Sequence, residues 1–228
     1  MLIFLRREAP VFYLVTLTCQ AILFDLDGVL VDSTPAVART WTRWALAHGI
    51  DPQRTITHAH GRRSIETVRA LAPELNAHEE NLRVEQMEIE DKQGVTALPG
   101  AAHLLSTLPR DRFAIVTSAT RSLAHARIGY AGLPLPEHLV TADDVIEGKP
   151  SPEPYLKGAQ LLGFPASDCL VFEDTPAGID SALRAGMSAI AVANTYSKSL
   201  LTAATEILEG LQTIRVEVAA GFLKITKV

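Results

Sequence analysis

Cysteine is scarce in this chain: two residues in 228, Cys19 and Cys169. So few thiols exclude a disulfide-stapled secreted domain, and without a cluster of Cys and His around them they argue against a zinc site. Each lies at the start of or within an apolar run, where a small buried thiol is expected, and such sparse use suits a reducing cytoplasm. Long hydrophobic runs are also missing. The N-terminal stretch is interrupted by Arg6, Arg7, Glu8 and Pro10, and its run from Val11 to Thr18 is too short to cross a bilayer. An excess of positive charge is lacking too, since the formal net charge is −5. A general polyanion binder is thereby excluded, neither nucleic acid nor membrane is expected as a partner, and an anionic ligand needs positive charge supplied locally. There is no internal repeat or low-complexity segment. Nothing suggests an obligate assembly, so a monomer or weak homo-oligomer is expected.

What is present is an ordinary globular balance, 47% hydrophobic and 21% charged, in a chain long enough to bury a sheet. Four short apolar runs, Ala21 to Asp25, Phe113 to Thr117, Cys169 to Glu173 and Ser188 to Ala193, read as strands buried on both faces. Between and after them, Gly100 to Leu108, Ser122 to Gly129, Pro152 to Leu162 and Pro176 to Ala185 carry apolar residues at helical spacing. Strands alternating with helices predict an α/β fold with a doubly wound parallel sheet, Rossmann-like in architecture. Residues 35–98 break the rhythm. They hold no convincing strand and read as an inserted all-helical cap domain, with core residues 20–34 and 99–228 on either side. In that insertion Val37, Trp41, Trp44 and His48 recur at helical spacing, with the Trp pair expected to pack. Ser64 to Ala72 and Glu79 to Gln93 follow, the latter charged enough to read as a solvated face. His58 and His60 read as polar residues of a cap loop. Residues 1–19 read as an N-terminal extension that need not be native, either an upstream start-codon artefact or a cleavable signal.

In an open parallel sheet, chemistry gathers where the strands' carboxyl ends meet. The residues ending these runs are Asp25 and Asp27, then Ser118, then Glu173 and Asp174, and Lys149 joins them from the loop Gly148-Lys149-Pro150. Four carboxylates brought together repel, and a hard divalent cation such as Mg2+ resolves the repulsion while keeping waters that a phosphate oxygen can replace. Phosphate monoesters are slow to hydrolyse, so a covalent intermediate fits the constellation. Asp25 is the expected nucleophile and Asp27 the general acid and base. Ser118 and Lys149 are expected to hold the transferring oxygens, and Glu173 and Asp174 the ion. In the loop His60-Gly61-Arg62-Arg63-Ser64, two guanidinium groups beside a glycine suit a polar or second anionic substrate group. Arg62 and Arg63 are therefore the candidate selectivity residues, although two solvent-exposed arginines would look the same in sequence. Arg69 reads as a surface residue.

Four segments, Asp25-Leu26-Asp27-Gly28-Val29-Leu30-Val31-Asp32-Ser33, Val116-Thr117-Ser118, Gly148-Lys149-Pro150 and Glu173-Asp174-Thr175-Pro176-Ala177-Gly178, resemble the four ordered motifs of the haloacid dehalogenase superfamily. The likeness covers the chain from about Gln20 onward. With its helical insertion the chain is most similar to the bacterial sugar phosphatases, hexitol phosphatases among them, and Gly148 to Tyr155 and Gly158 to Gly163 carry much of that closer likeness. The resemblance implies a phosphatase acting on a small phosphorylated metabolite, a sugar or polyol phosphate, through an aspartyl phosphate. It implies magnesium held by the Asp25 carboxylate, the Asp27 carbonyl and Asp174, with Glu173 beside the ion or acting through water. Val29 stands where many relatives carry threonine and decides nothing. Val37, ten residues past Asp27, stands where related hexose phosphomutases carry histidine, which favours hydrolysis over the alternative of a phosphomutase. A receiver-like or regulatory phosphate-binding protein is the remote alternative.

Overall fold

The computed structural model describes residues 16–219 and 221–228. Most of the segment set apart as an N-terminal extension lies outside them. Its last four residues do not stand apart from the fold: Thr16–Cys19 form β1.

In chain order, β1 is followed by β2 (Ala21–Phe24) and β3 (Val31–Asp32), and then by four helices, α1 (Thr34–Ala47), α2 (Pro52–Ala59), α3 (Ser64–Leu71) and α4 (Ala77–Glu90). Next come β4 (Thr96–Ala97), α5 (Ala101–Thr107), β5 (Phe113–Val116), α6 (Arg121–Tyr130) and β6 (Leu139–Val140). The chain continues through α7 (Glu153–Leu162), β7 (Cys169–Glu173), α8 (Pro176–Arg184), β8 (Ser188–Val192), β9 (Glu206–Leu208), β10 (Ile214–Ala219) and β11 (Phe222–Lys227).

Six strands form one parallel sheet in the order β6-β5-β2-β7-β8-β9. Every residue of β2, β5 and β7 is buried, which is why these strands read as unbroken apolar runs rather than as alternating ones. One apolar cluster on each face covers the sheet, built around Phe24, Phe113 and Phe172 on one side and Leu23, Val116 and Tyr155 on the other. With β2 central, the chain crosses to β5 on one side and to β7 on the other, and the crevice where strand order reverses opens directly over Asp25. The four predicted strands are thus β2, β5, β7 and β8. A three-stranded antiparallel sheet of order β1-β11-β10 adds to this core, a piece the sequence reading did not anticipate.

The helical insertion has its own small core around Trp41, Trp44, Val68 and Val84, with the two indoles edge to face at 5.5 Å between centroids. Packing is therefore the role of the Trp pair, as expected. This helical layer, the cap, differs from the sequence reading in three places. His58 lies within α2 rather than in a loop, with Asp51 capping that helix through the Arg54 N–H at 2.6 Å. The stretch expected to hold no strand ends in β4, which pairs with β3 as a short antiparallel stem. The helix read as a solvated face, α4, buries Glu80, Val84 and Glu88, one residue per turn. Charge misled here because each buried carboxylate has a partner: Glu80 accepts Trp44 Nε1 at 2.9 Å, and Glu88 pairs with Arg127.

Candidate active site

Asp25 follows β2 directly, and its N–H still donates to Phe172 O at 2.9 Å, so the ladder to β7 fixes its backbone. The turn at Gly28 has φ +83°, open to glycine at no cost, and a side-chain carbon there would overlap the Asp174 carboxylate. Both properties set Asp25, Asp27 and Asp174 around one small space. Lys149 is buried; its Nζ donates to Asp25 Oδ1, to Glu173 Oε1 at 2.7 Å and to Val116 O at 3.3 Å, over the Tyr155 ring. The two buried carboxylates hold its ammonium well above the usual lysine range despite desolvation.

Glu173 is fully engaged. Its Oε1 accepts Lys149 and Tyr155 Oη at 3.0 Å, and its Oε2 accepts the N–H groups of Asp174 and Thr175 at 2.9 Å each. It anchors the lysine, and neither oxygen is left for an ion. Asp174 differs: its Oδ1 is buried with no hydrogen-bond partner among the described residues. Burial first, and then Glu173 and Asp25, push the Asp174 carboxyl well above the ordinary range, and burial raises Asp25 against the pull of Lys149. Crowded carboxylates with one orphan oxygen are what a divalent cation neutralises, so the residues fit the magnesium expected from the sequence. Among the described residues no three carboxylate, thiol or imidazole side chains form a metal-sized cluster. The expected set does not need one, because one of its three ligands is the Asp27 main-chain carbonyl.

Asp27 is held on both oxygens. Ser33 Oγ donates to Oδ1 at 2.7 Å and Arg127 Nη1 to Oδ2 at 2.7 Å, leaving the carboxyl on the wall of a cavity of ≈ 80 Å³ shared with Asp25, Ser118 and Asp174. Ser118 lies two residues beyond the end of β5, and its hydroxyl donates to Gly61 O of the cap at 3.1 Å. Gly61, at φ +74°, lies so close to Thr175 that a side-chain carbon would stand 2.8 Å from its Cγ2. Further bonds tie cap to core, from Tyr130 Oη to Ile89 O at 2.7 Å and from Thr120 Oγ1 to Glu85 Oε2 at 3.3 Å. The cap is closed over the site.

The two candidate arginines separate. Arg63 donates Nε to Glu66 at 2.6 Å and Nη1 to Ile146 O at 3.0 Å, and it packs on Gly148 beside the lysine loop, so it braces the cap against the core. Arg62 is exposed and borders both this cavity and a neighbouring one that shares His60 and Thr175 with it, and no hydrogen bond or ion pair of its guanidinium is found among the described residues. Arg69 is exposed, as expected.

Sequence reasoning missed Arg127 and Glu88. Arg127 sits on the buried stripe of α6 with Leu123, Ala124 and Ile128, and Glu88 on the buried stripe of α4. A charge in register with an apolar stripe was the available signal. Burial pushes the Glu88 carboxyl up to about 7 although Arg127 pulls it down.

Known proteins resemble this chain over most of its length. Escherichia coli hexitol phosphatase A is 45% identical over 203 residues, covering 87% of this chain and 94% of that protein. Glycerol-1-phosphate phosphohydrolase 2 of Saccharomyces cerevisiae is 36% identical, covering 82% and 79%. A hydrolase from Pseudomonas syringae superposes with a TM-score of 0.75 at 27% identity, covering 85% and 94%. The phosphatases among these relatives define the class as phosphoric monoester hydrolases. The chain belongs to the haloacid dehalogenase-like hydrolases, whose family model matches residues 19–186. Among the described residues no helix is long and apolar enough to cross a membrane.

Proposed function

We propose that the chain is a magnesium-dependent phosphatase that hydrolyses a small sugar or polyol phosphate through an aspartyl phosphate on Asp25. The observation that carries the reading is Lys149, buried and fixed by Glu173 with its ammonium on the Asp25 carboxylate. A lysine so held counters charge on a phosphoryl group attacked by Asp25 without reorganising during the reaction.

An Asp25 oxygen attacks phosphorus as the ester bond breaks, and Asp27 gives its proton to the departing oxygen, freeing the alcohol. Lys149 and the Ser118 hydroxyl, the latter exchanging its bond to Gly61 O, hold the transferring oxygens. Asp27 then takes a proton from the water that attacks the aspartyl phosphate, releasing inorganic phosphate and restoring Asp25. The Asp25 and Asp174 carboxylates and the Asp27 carbonyl would hold magnesium, which would supply positive charge to the phosphoryl oxygens. The closed cap excludes bulk water from the intermediate.

The small cavity suits a leaving group of a few carbons, and the polyol and glycerol phosphatases among the relatives support that class. Val37 lines the cavity and has no proton to give or take, which supports transfer to water over a mutase cycle. Arg62, exposed beside the cavity, is the selectivity residue of the two proposed.

The test is phosphate release from a panel of phosphorylated sugars, polyols, glycolate and nucleotides, with and without magnesium. Activity is expected on sugar and polyol phosphates, to vanish with chelator, and to fall to background in Asp25→Asn. Substantial turnover by that variant removes Asp25 as nucleophile.

A further inference from the structure

Two buried charges stand behind Asp27 without a part in the chemistry above. Arg127, on α6 of the core, donates Nη1 to Asp27 Oδ2 at 2.7 Å and pairs through Nη2 with Glu88 Oε2 at 3.2 Å. Glu88 comes from α4 of the cap, and both side chains line the cavity that holds Asp25 and Asp27. No hydrogen bond to Glu88 Oε1 is found among the described residues, and Glu88 is one of the residues lining that cavity.

Their place relative to the reaction gives them a meaning. The ester oxygen has to lie within hydrogen-bond reach of the Asp27 carboxyl that protonates it. The first carbons of the leaving group therefore fall in the part of the cavity that Asp27 borders. The Arg127 guanidinium, bonded to Asp27, and the Glu88 carboxylate, paired with Arg127, line that same cavity. A guanidinium only donates and an ionised carboxylate only accepts, whereas a hydroxyl does both. A hydroxyl on the carbon next to the ester can accept from Arg127 and donate to Glu88, which neither a hydrogen nor a carboxylate at that carbon can do. Val37 and Trp41 line the same cavity and offer apolar surface to the C–H groups of such a chain. A carboxylate in that position meets the Glu88 carboxylate and a single cation that Asp27 and Glu88 already share.

We propose that Glu88 and Arg127 read the hydroxyl on the carbon adjacent to the phosphate ester, selecting neutral polyol phosphates over carboxylate-bearing or deoxygenated ones. The inference rests on the phosphatase reading above and names the chemistry that its leaving group presents. It also gives the cap a direct part in choosing substrate, because one half of the reading pair closes down with α4.

The experiment measures kcat/KM at pH 8 for glycerol 1-phosphate, for 1,3-propanediol phosphate, which lacks the adjacent hydroxyl, for phosphoglycolate and for p-nitrophenyl phosphate. The wild type is expected to prefer glycerol 1-phosphate to propanediol phosphate by roughly tenfold to hundredfold, the size of one hydrogen bond to a charged group. Glu88→Gln should collapse that preference at least fivefold and raise phosphoglycolate relative to glycerol 1-phosphate. Arg127→Lys, which keeps the charge but loses the fork between Asp27 and Glu88, should weaken the same preference. Four substrates falling together in Glu88→Gln would show a merely structural role and overturn the proposal. Equal wild-type values for glycerol and propanediol phosphates overturn it without any variant, so a poorly folding mutant leaves the question decidable. Wild-type hydrolysis of none of the four overturns the phosphatase reading itself, which is a separate result.

Discussion

Glu173 and Lys149 are joined at 2.7 Å with both partners almost wholly out of solvent, and every remaining lone pair of the carboxylate is taken up by Tyr155, Thr175 or backbone N–H groups. The ammonium is thereby aimed at Asp25 and cannot swing away. Lys149→Met would leave two carboxylates buried around an apolar chain, and removing one partner of such a pair costs about 3 to 5 kcal/mol. We expect that loss in the denaturant midpoint together with activity at background. A variant as stable as the wild type would show that Glu173 and Asp25 do not depend on the lysine for their charge.

Gly61 makes two demands at once. Its φ of +74° lies in the left-handed region, and Thr175 occupies the space a side chain would need. Gly61→Ala should cost about 1 to 2 kcal/mol of local strain. It should also hold the cap off the core, lowering kcat at least tenfold because the water-excluded site no longer assembles. Steady-state kinetics beside a thermal melt separates the two effects. Wild-type kcat in this variant would mean that chemistry does not require the contact between Gly61 and Thr175.

Asp27 is assigned proton transfer to the leaving oxygen, so the cost of losing it depends on how badly that oxygen needs a proton. Asp27→Asn should lower kcat on a polyol phosphate by about 10² to 10⁴, the usual range for general acid–base catalysis. On p-nitrophenyl phosphate, whose phenolate departs without protonation, the fall in the first, phosphoryl-transfer step measured by rapid mixing should be much smaller. Equal losses on both substrates would place Asp27 outside proton transfer.

The strand ends were legible because burial on both faces writes itself as unbroken apolar runs, and three such runs lead to a residue of the candidate site: Asp25 after β2, Ser118 after β5, Asp174 after β7. Lys149 was found through its flanking glycine and proline rather than through periodicity. Glu88 and Arg127 escaped for the opposite reason. Charge on a helix is read as solvent exposure, and what buries these two is a partner far away in the chain, 39 positions from Glu88 to Arg127 and 100 from Arg127 to Asp27. The antiparallel sheet of β1, β10 and β11 was hidden because β10 and β11 leave much of their length exposed, so their pattern carries little apolar signal. The division of labour between Arg62 and Arg63 depends on Glu66 and the Ile146 carbonyl, which spacing alone does not bring together.

His60 gives the cap a dependence on pH whose sign can be worked out. Its ring lines the cavity, Nε2 is buried without a partner among the described residues, and burial lowers its pKa below the usual 6.5 despite the opposing pull of Asp27. His58 is lowered in the same direction by burial and by Arg62 and Arg54. A base whose folded pKa is depressed binds fewer protons folded than unfolded, so acidification through the unfolded value near 6.5 removes stability. The raised carboxylates Asp25, Glu88 and Asp174 act in the opposite sense, because their folded forms take up protons first. The histidine contribution is therefore read from the difference between wild type and a His58→Gln, His60→Gln double variant. Denaturant midpoints at pH 7.5 and 5.5 should show the variant gaining on the wild type at the lower pH. A difference that does not change between the two pH values would mean that the histidines accept protons as readily in the closed fold as in the unfolded chain.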